Sequence, residues 1–253
     1  VNKGGTSYVA WQWKANGGTT ASNTDGSITS TVQANTTAGF SIVTWSGNTT
    51  AGATIGHGLG VAPHYVQVKR LDRDGDAWRG FWEPLGNEKY LELNATDGSQ
   101  DSTTGAWNDT SPTSSVFSMG SAAGINGGNM VAYCFAPIQG YSKFGSYTGN
   151  GNADGPMVFC GFKPAWVMIK RTDSANSWTI RDSKRSTFNV MQKSLFADLN
   201  NAESDSSNYN FDFLSNGFKQ RNSNGIDNAS GGTYIYMAFA EHPFVSSEGV
   251  PTT

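Results

Sequence analysis

Large apolar residues occupy every second position in three stretches of this chain. Tyr8–Lys14 carries them at Val9, Trp11 and Trp13, Met130–Ala136 at Val131, Tyr133 and Phe135, and Tyr234–Ala240 at Ile235, Met237 and Phe239. The positions between are mostly small or polar: Ala10, Gln12, Ala132, Cys134 and Ala238. A period of two is that of a β-strand, whose side chains alternate between faces. Each stretch is therefore predicted to be a strand with one face toward a core and one away. A glycine pair precedes each one: Gly4-Gly5, Gly127-Gly128 and Gly231-Gly232. The same turn and closing strand are written three times.

What lies between the copies recurs as well. Gly39-Phe40-Ser41 is answered by Gly140-Tyr141-Ser142, and Trp45-Ser46-Gly47-Asn48 by Tyr147-Thr148-Gly149-Asn150. Gly60–Arg70 is answered by Gly161–Arg171, Trp78 by Trp178, and Leu93-Asn94 by Leu199-Asn200. The spacing of about a hundred residues is the common size of a domain and too long for a solenoid repeat. The pattern predicts two complete units, 39–137 and 138–245. The last strand of a preceding unit (1–15) and a linker rich in Gly, Ser, Thr and Asn (16–38) come before them, and a tail (246–253) follows. The linker reads as a tether containing one exposed strand, since Ser27–Gln33 alternates. Each unit holds enough large residues for its own sandwich core. The expected fold class is all-β, with two tandem antiparallel β-sandwiches of jelly-roll or lectin-like type. Met191–Leu199 is the best helical candidate, although its repeat partner Glu88–Leu93 reads as extended.

Composition supports strands joined by turns: 31 of 253 residues are Gly and only 15% are charged. The net charge is −3, and there is no run of basic residues longer than the pairs Lys69-Arg70, Lys170-Arg171 and Lys184-Arg185. A nucleic-acid surface needs a concentrated positive footprint, so none is expected. No apolar run approaches the ~20 residues of a membrane span, and Val1–Gly5 does not resemble a signal peptide. Cys134 and Cys160 are not repeat equivalents and read as small buried thiols, as in a protein folded in a reducing cytoplasm.

Chemistry-bearing motifs are sparse. His57, His64 and His242 fall at no metal-ligand spacing, and the turn histidines His57 and His64 read as satisfied by local backbone. Asp72, Asp74 and Asp76 alternate like a calcium loop, but Gly75 falls between the last two, which suits a hairpin turn better than a metal site. The carboxylates Asp72, Asp74, Asp76, Glu83, Glu88 and Glu92 show no pairing across a cleft, and there is no nucleophile elbow, phosphate loop or Cys-x-x-Cys pair. No catalytic residue and no cofactor are expected. The aromatics remain. Trp78 and Trp178 share a repeat position and read as core. Trp82 and Trp107 have no tryptophan partner in the second unit and sit beside Arg79, Asn108 and Asp109. These five are the candidates for a surface on which a sugar ring stacks, carried by the loops Asp72–Trp82 and Gly98–Pro112.

Four strings carry a resemblance: Gly39–Asn48, Gly56–Pro63, Tyr141–Gly151 and the closing Met237–Phe244. In these the chain resembles the repeated β-domains of tailed-bacteriophage virion proteins, the tail-fibre and structural proteins common in marine and cyanobacterial phages. The resemblance implies a virion location after assembly in the bacterial cytoplasm, other virion subunits as partners, a longer parent chain and no catalytic residues. The expected role is the C-terminal part of a tail fibre or appendage that binds host surface polysaccharide without enzymatic activity. The alternatives are a decoration or assembly protein with no receptor role and a polysaccharide depolymerase. Homo-oligomerisation stays open, since no heptad or β-helix repeat enforces it.

Overall fold

The computed structural model describes residues 4–16, 18–102 and 105–241. In the first half the strands are β1 (Ala21–Asn23), β2 (Ser30–Asn35), β3 (Phe40–Asn48), β4 (Ala53–Gly56) and β5 (Tyr65–Arg70). They continue with β6 (Arg79–Trp82), β7 (Lys89–Glu92), β8 (Gln100–Asp101), β9 (Val116–Met119) and β10 (Gly127–Phe135), with a single helical turn, α1 (Ala123–Asn126), just before β10. The second half begins with β11 (Ser142–Thr148), β12 (Met157–Phe159), β13 (Pro164–Arg171), β14 (Thr179–Asp182) and β15 (Lys193–Phe196). It ends with β16 (Ser204–Asp205), β17 (Phe211–Leu214), β18 (Gly217–Gln220), α2 (Gly225–Asn228) and β19 (Thr233–Ala240). The protein is all-β.

Among the described residues, β1-β2-β3-β10-β5-β6-β7-β8 form one antiparallel sheet and β11-β19-β13-β14-β15-β16 another. Beyond the two extra strands at the first edge, the strand orders match. Each closing strand follows a helical turn, β10 sitting between β3 and β5 and β19 between β11 and β13. Small sheets, β4-β9 and β12-β18-β17, complete the two halves.

Three buried layers separate these sheets. Val43, Trp45, Val66, Val68, Ala132 and Cys134 face Ile55, Phe117 and Met119 of β4 and β9. Val167, Ile169, Tyr236 and Ala238 face Val158, Phe211, Phe213 and Phe218 of the three-stranded sheet. Between them lies a layer built by both halves: Phe40, Tyr65, Trp82 and Phe135 against Phe144, Trp166, Met168, Ile235, Met237 and Phe239. The alternating large residues of β10 and β19 thus point at each other across the shared layer, not into the sandwich of their own half. Both faces of the closing strands are buried. On β10 the small residues Ala132 and Cys134 fit against an outer core already filled by Trp45, Trp107 and Phe117. Polar contacts rim the shared layer: Ser99 N–H donates to Thr172 O (2.7 Å) and Asn176 N–H to Thr96 O (2.8 Å). The Lys170 ammonium donates to Thr96 O (2.8 Å) and Asn176 O (2.6 Å).

Several expectations differ from what is observed. Tyr8–Lys14 is not a strand; its alternation reflects one-sided burial without a ladder partner. Trp13 sits edge-on to Phe135, Trp166 and Phe239, with ring centroids 6.0, 5.4 and 5.3 Å away. Residues 16–38 are not simply a tether, because β1 and β2 extend the first sheet and Val32, opposite Val43, is buried. Met191–Leu199 is extended: β15 lies within it and Met191 bridges Phe211. His242 and the tail lie outside the described residues.

Among the described residues, the second half holds a buried ion pair with no counterpart in the first. Arg181 (β14) pairs with Asp227 (α2), both fully buried; Asp227 also accepts from Thr179 Oγ1 at 2.8 Å, and the guanidinium lies 4.9 Å from the Phe211 ring centre. Val167 opposes Arg181 as Val66 opposes Phe81, and Asp227 holds the place in its turn that Ile125 holds in α1. One half places Phe81 and Ile125 in its core where the other places opposite charges. Removing one charge strands the other in low dielectric, so R181M is expected to lower the unfolding free energy by about 3–5 kcal/mol. The double replacement R181F/D227I, copying the first half, is expected to recover most of it. Urea denaturation measures both, and equal losses in single and double variants would contradict the pairing.

Candidate functional site

The residues read from the sequence as a stacking surface do not form one. Trp82 is 1% and Trp107 2% exposed. Trp82 packs on Tyr65 (centroids 4.2 Å) and Trp178 (5.7 Å) within the shared layer. Trp107 meets Phe81 edge-on at 5.9 Å and donates its indole N–H to Lys89 O at 3.1 Å. Their polar sequence neighbours point the other way. Arg79 is bonded to Glu92 at 3.0 Å and lies over Tyr90. Asn108 and Asp109 form a left-handed turn, φ 52° and 48°, a conformation these two residue types tolerate best.

The aspartate loop is a hairpin of local ion pairs. Asp72 accepts from Arg70 (2.6 Å) and from the Asn129 N–H (3.1 Å), and Asp76 from Arg73 Nε (2.7 Å). The guanidinium beside each carboxyl holds it below its ordinary range. No group of three or more His, Cys, Asp or Glu able to hold a metal occurs among the described residues. Cys134 and Cys160 are free and buried, and burial pushes both thiols up to about 12, far from a nucleophile's range.

An aromatic cleft of about 480 Å³ opens instead where the shared layer is incompletely filled. Trp11, Trp13 and Trp166 form one side; Trp78 and Tyr133, stacked at 6.0 Å and 15°, form the other. Trp78, expected in the core, is a half-buried wall of this cleft, whereas Trp178 is buried. The one strongly polar side chain in the wall is Gln67, 3% exposed, on the inward face of β5. Its oxygen accepts from the Tyr65 hydroxyl, and its nitrogen has no partner. The indole N–H of Trp166 is also unpartnered. Gly80 lies opposite Gln67 across β5 and β6, and a Cβ there would stand 3.1 Å from Gln67 Oε1 and 2.9 Å from Trp82 Nε1. The missing side chain leaves the carboxamide room.

Sequence reading missed Gln67, yet a signal was present. It interrupts an apolar run, Val66-Gln67-Val68, whose repeat partner is Val167-Met168-Ile169. The cross-strand neighbours differ in step: Tyr133 opposes Gln67, and Met237 opposes Met168.

His57 is held as expected of a turn histidine, whereas the buried Nδ1 of His64 has no partner among the described residues. His57 is fully buried, with Nδ1 accepting from Leu59 N–H (3.2 Å) and Nε2 facing Thr113 O (3.1 Å). A carbonyl on one side and an N–H on the other require the neutral Nε2–H tautomer. Burial lowers its pKa below the ordinary value. The unfolded chain therefore takes up the proton first, and the His57 contribution is complete above about pH 6.5 and lost as pH falls from there. Urea midpoints of the wild type are expected to decline between about pH 6.5 and 5, above the range where Asp72 and Asp76 titrate. H57Q is expected to flatten that decline; an unchanged slope would contradict the assignment.

A family model described as a domain of unknown function, DUF7483, matches residues 1–243. No curated protein and no solved structure matches the chain.

Proposed function

This chain belongs to the DUF7483 family, and we propose that it is a non-enzymatic binding unit of a tailed-phage virion appendage that holds host surface glycan in the inter-sheet cleft. The virion setting rests on the resemblance of the Gly39–Asn48, Gly56–Pro63 and Tyr141–Gly151 strings. The binding role rests on one observation: an open cleft walled by aromatic rings. Ring faces give a sugar stacking area, and a few placed polar groups give orientation. A depolymerase requires a carboxylate pair beside the scissile bond. The residues lining this cleft include no carboxylate, imidazole or amine, which favours retention of a ligand over its cleavage.

A purely structural role draws support from exposed apolar residues on the second half, where Phe188 is 83% and Phe159 57% exposed. Such residues suit contact with other virion subunits or a second copy of the chain.

A glycan array probed with the 253-residue chain, followed by titration of its best ligand, separates these readings. Binding is expected to be lost at least about tenfold in W78A, with the melting temperature nearly kept because Trp78 is only half-buried. Failure of the chain to bind any glycan, together with failure to adhere to host cells, would overturn the binding role and leave the structural one.

A further inference from the structure

The face of the first sheet that lines the cleft continues beyond it. Side chains two apart on a strand share a face. Ile42 in the cleft wall is therefore followed along β3 by Thr44 and Ser46, and Tyr133 along β10 by Val131 and Asn129. β2 carries the face one strand further, with Gln33 opposite Ile42 and Thr31 opposite Thr44. Past the aromatic rings, Thr29, Thr31, Thr44, Ser46, Asn129 and Leu71 surround an open hollow of about 500 Å³. The hydroxyl residues and Asn129 are exposed, and Leu71 is 60% exposed, so these side chains meet solvent where Gln67 does not. At about 3.4 Å per residue, Ser46 stands about 14 Å along the sheet from Ile42.

The chemistry of this hollow matches the periphery of a sugar. A hydroxyl or carboxamide both donates and accepts, as sugar hydroxyls do, and the threonine methyls and Leu71 add apolar contact. The lining residues include one carboxylate, Asp72, and no cation, so an anionic chain meets repulsion there. The nearby basic groups are already engaged: Arg70 donates to Asp72 (2.6 Å) and Lys69 to Asp76 O (2.6 Å). Among the described residues, no strand beside β11 corresponds to β2, so the second half has no equivalent of Thr29 and Thr31. Resting on the glycan reading above, we propose that the hollow is a second subsite for the same ligand. That ligand is a neutral oligosaccharide longer than the cleft. One ring is held among the aromatics, and the following rings lie along β3 over Thr31, Thr44 and Ser46.

Intrinsic tryptophan fluorescence of the full chain, titrated with neutral gluco-, manno- and galacto-oligosaccharides and with oligogalacturonates, tests this. Each series is supplied as disaccharide and hexasaccharide. The hexasaccharide of the preferred neutral series is expected to bind about tenfold more tightly than its disaccharide, the scale of one or two hydrogen bonds. In T31V/T44V/S46A the valines keep the branched shape that suits a strand and remove the hydroxyls. This variant is expected to bring the hexasaccharide down to the affinity of the disaccharide. The disaccharide affinity stays unchanged and the melting temperature stays within a few degrees, because the three residues are exposed. A gain that comes only from repeated rings survives in the variant. Such survival, or equal binding of short and long chains by the wild type, overturns the second subsite while the glycan reading stands. Tighter binding of the oligogalacturonates overturns the choice of a neutral chain. Failure of every one of these sugars to bind removes this inference, and failure of every arrayed glycan as well removes the glycan reading with it.

Discussion

The aromatic layer shared by the two large sheets is the constraint on which the rest of this structure depends. Phe135 and Phe239, on the closing strands of the two halves, lie 5.9 Å apart, with Phe144, Trp166 and Trp13 packed around them. Edge-to-face ring packing of this kind adds to simple area burial. It also removes the solvent face that each half would otherwise show, so the central strands are buried on both sides, as is more usual for strands of parallel sheets. The segment carrying Trp11, Trp13 and Ala15 is held by this layer without a strand partner. The cleft follows from the same packing, since it lies where Trp78 and Tyr133 of one half do not reach Trp166 and Ile180 of the other.

The two halves, with one strand order, differ at coupled positions. Phe81 with Ile125 is replaced by Arg181 with Asp227, and Gln67 with Tyr133 by Met168 with Met237. In the first exchange opposite charges pair inside the core, with Arg181 Nε left without a partner. The second puts a carboxamide among the residues that line the cleft in only one half. A buried polar group that packing alone does not require is a candidate for recognition.

Much of the fold was legible in the sequence. The period-two pattern located β10 and β19, the proline turns preceded β5 and β13, and the absence of helical periodicity agrees with an all-β chain. Alternation reports which residues share a face, but not what covers that face. Phe135 and Phe239 therefore read as the inward residues of separate sandwiches, and Tyr8–Lys14 as a strand. The same limit misplaced the candidate site. Trp82 and Trp107 were judged by neighbours such as Arg79 and Asn108, whose side chains face elsewhere, so polarity nearby in sequence said nothing of the indole environment. The walls of the cleft come from residues as distant as Trp11, Gln67, Tyr133 and Trp166. No local motif announces such a site, and only the mismatch between Gln67 and Met168 hinted at it.

Differential scanning calorimetry of the 253-residue chain tests the shared layer most directly. A single transition is predicted, with calorimetric and van't Hoff enthalpies in agreement, because neither half keeps its central strands covered once the other unfolds. Two resolved transitions, each with the enthalpy of about half the chain, would show that the halves are stable separately and that the layer between them does not hold the structure together.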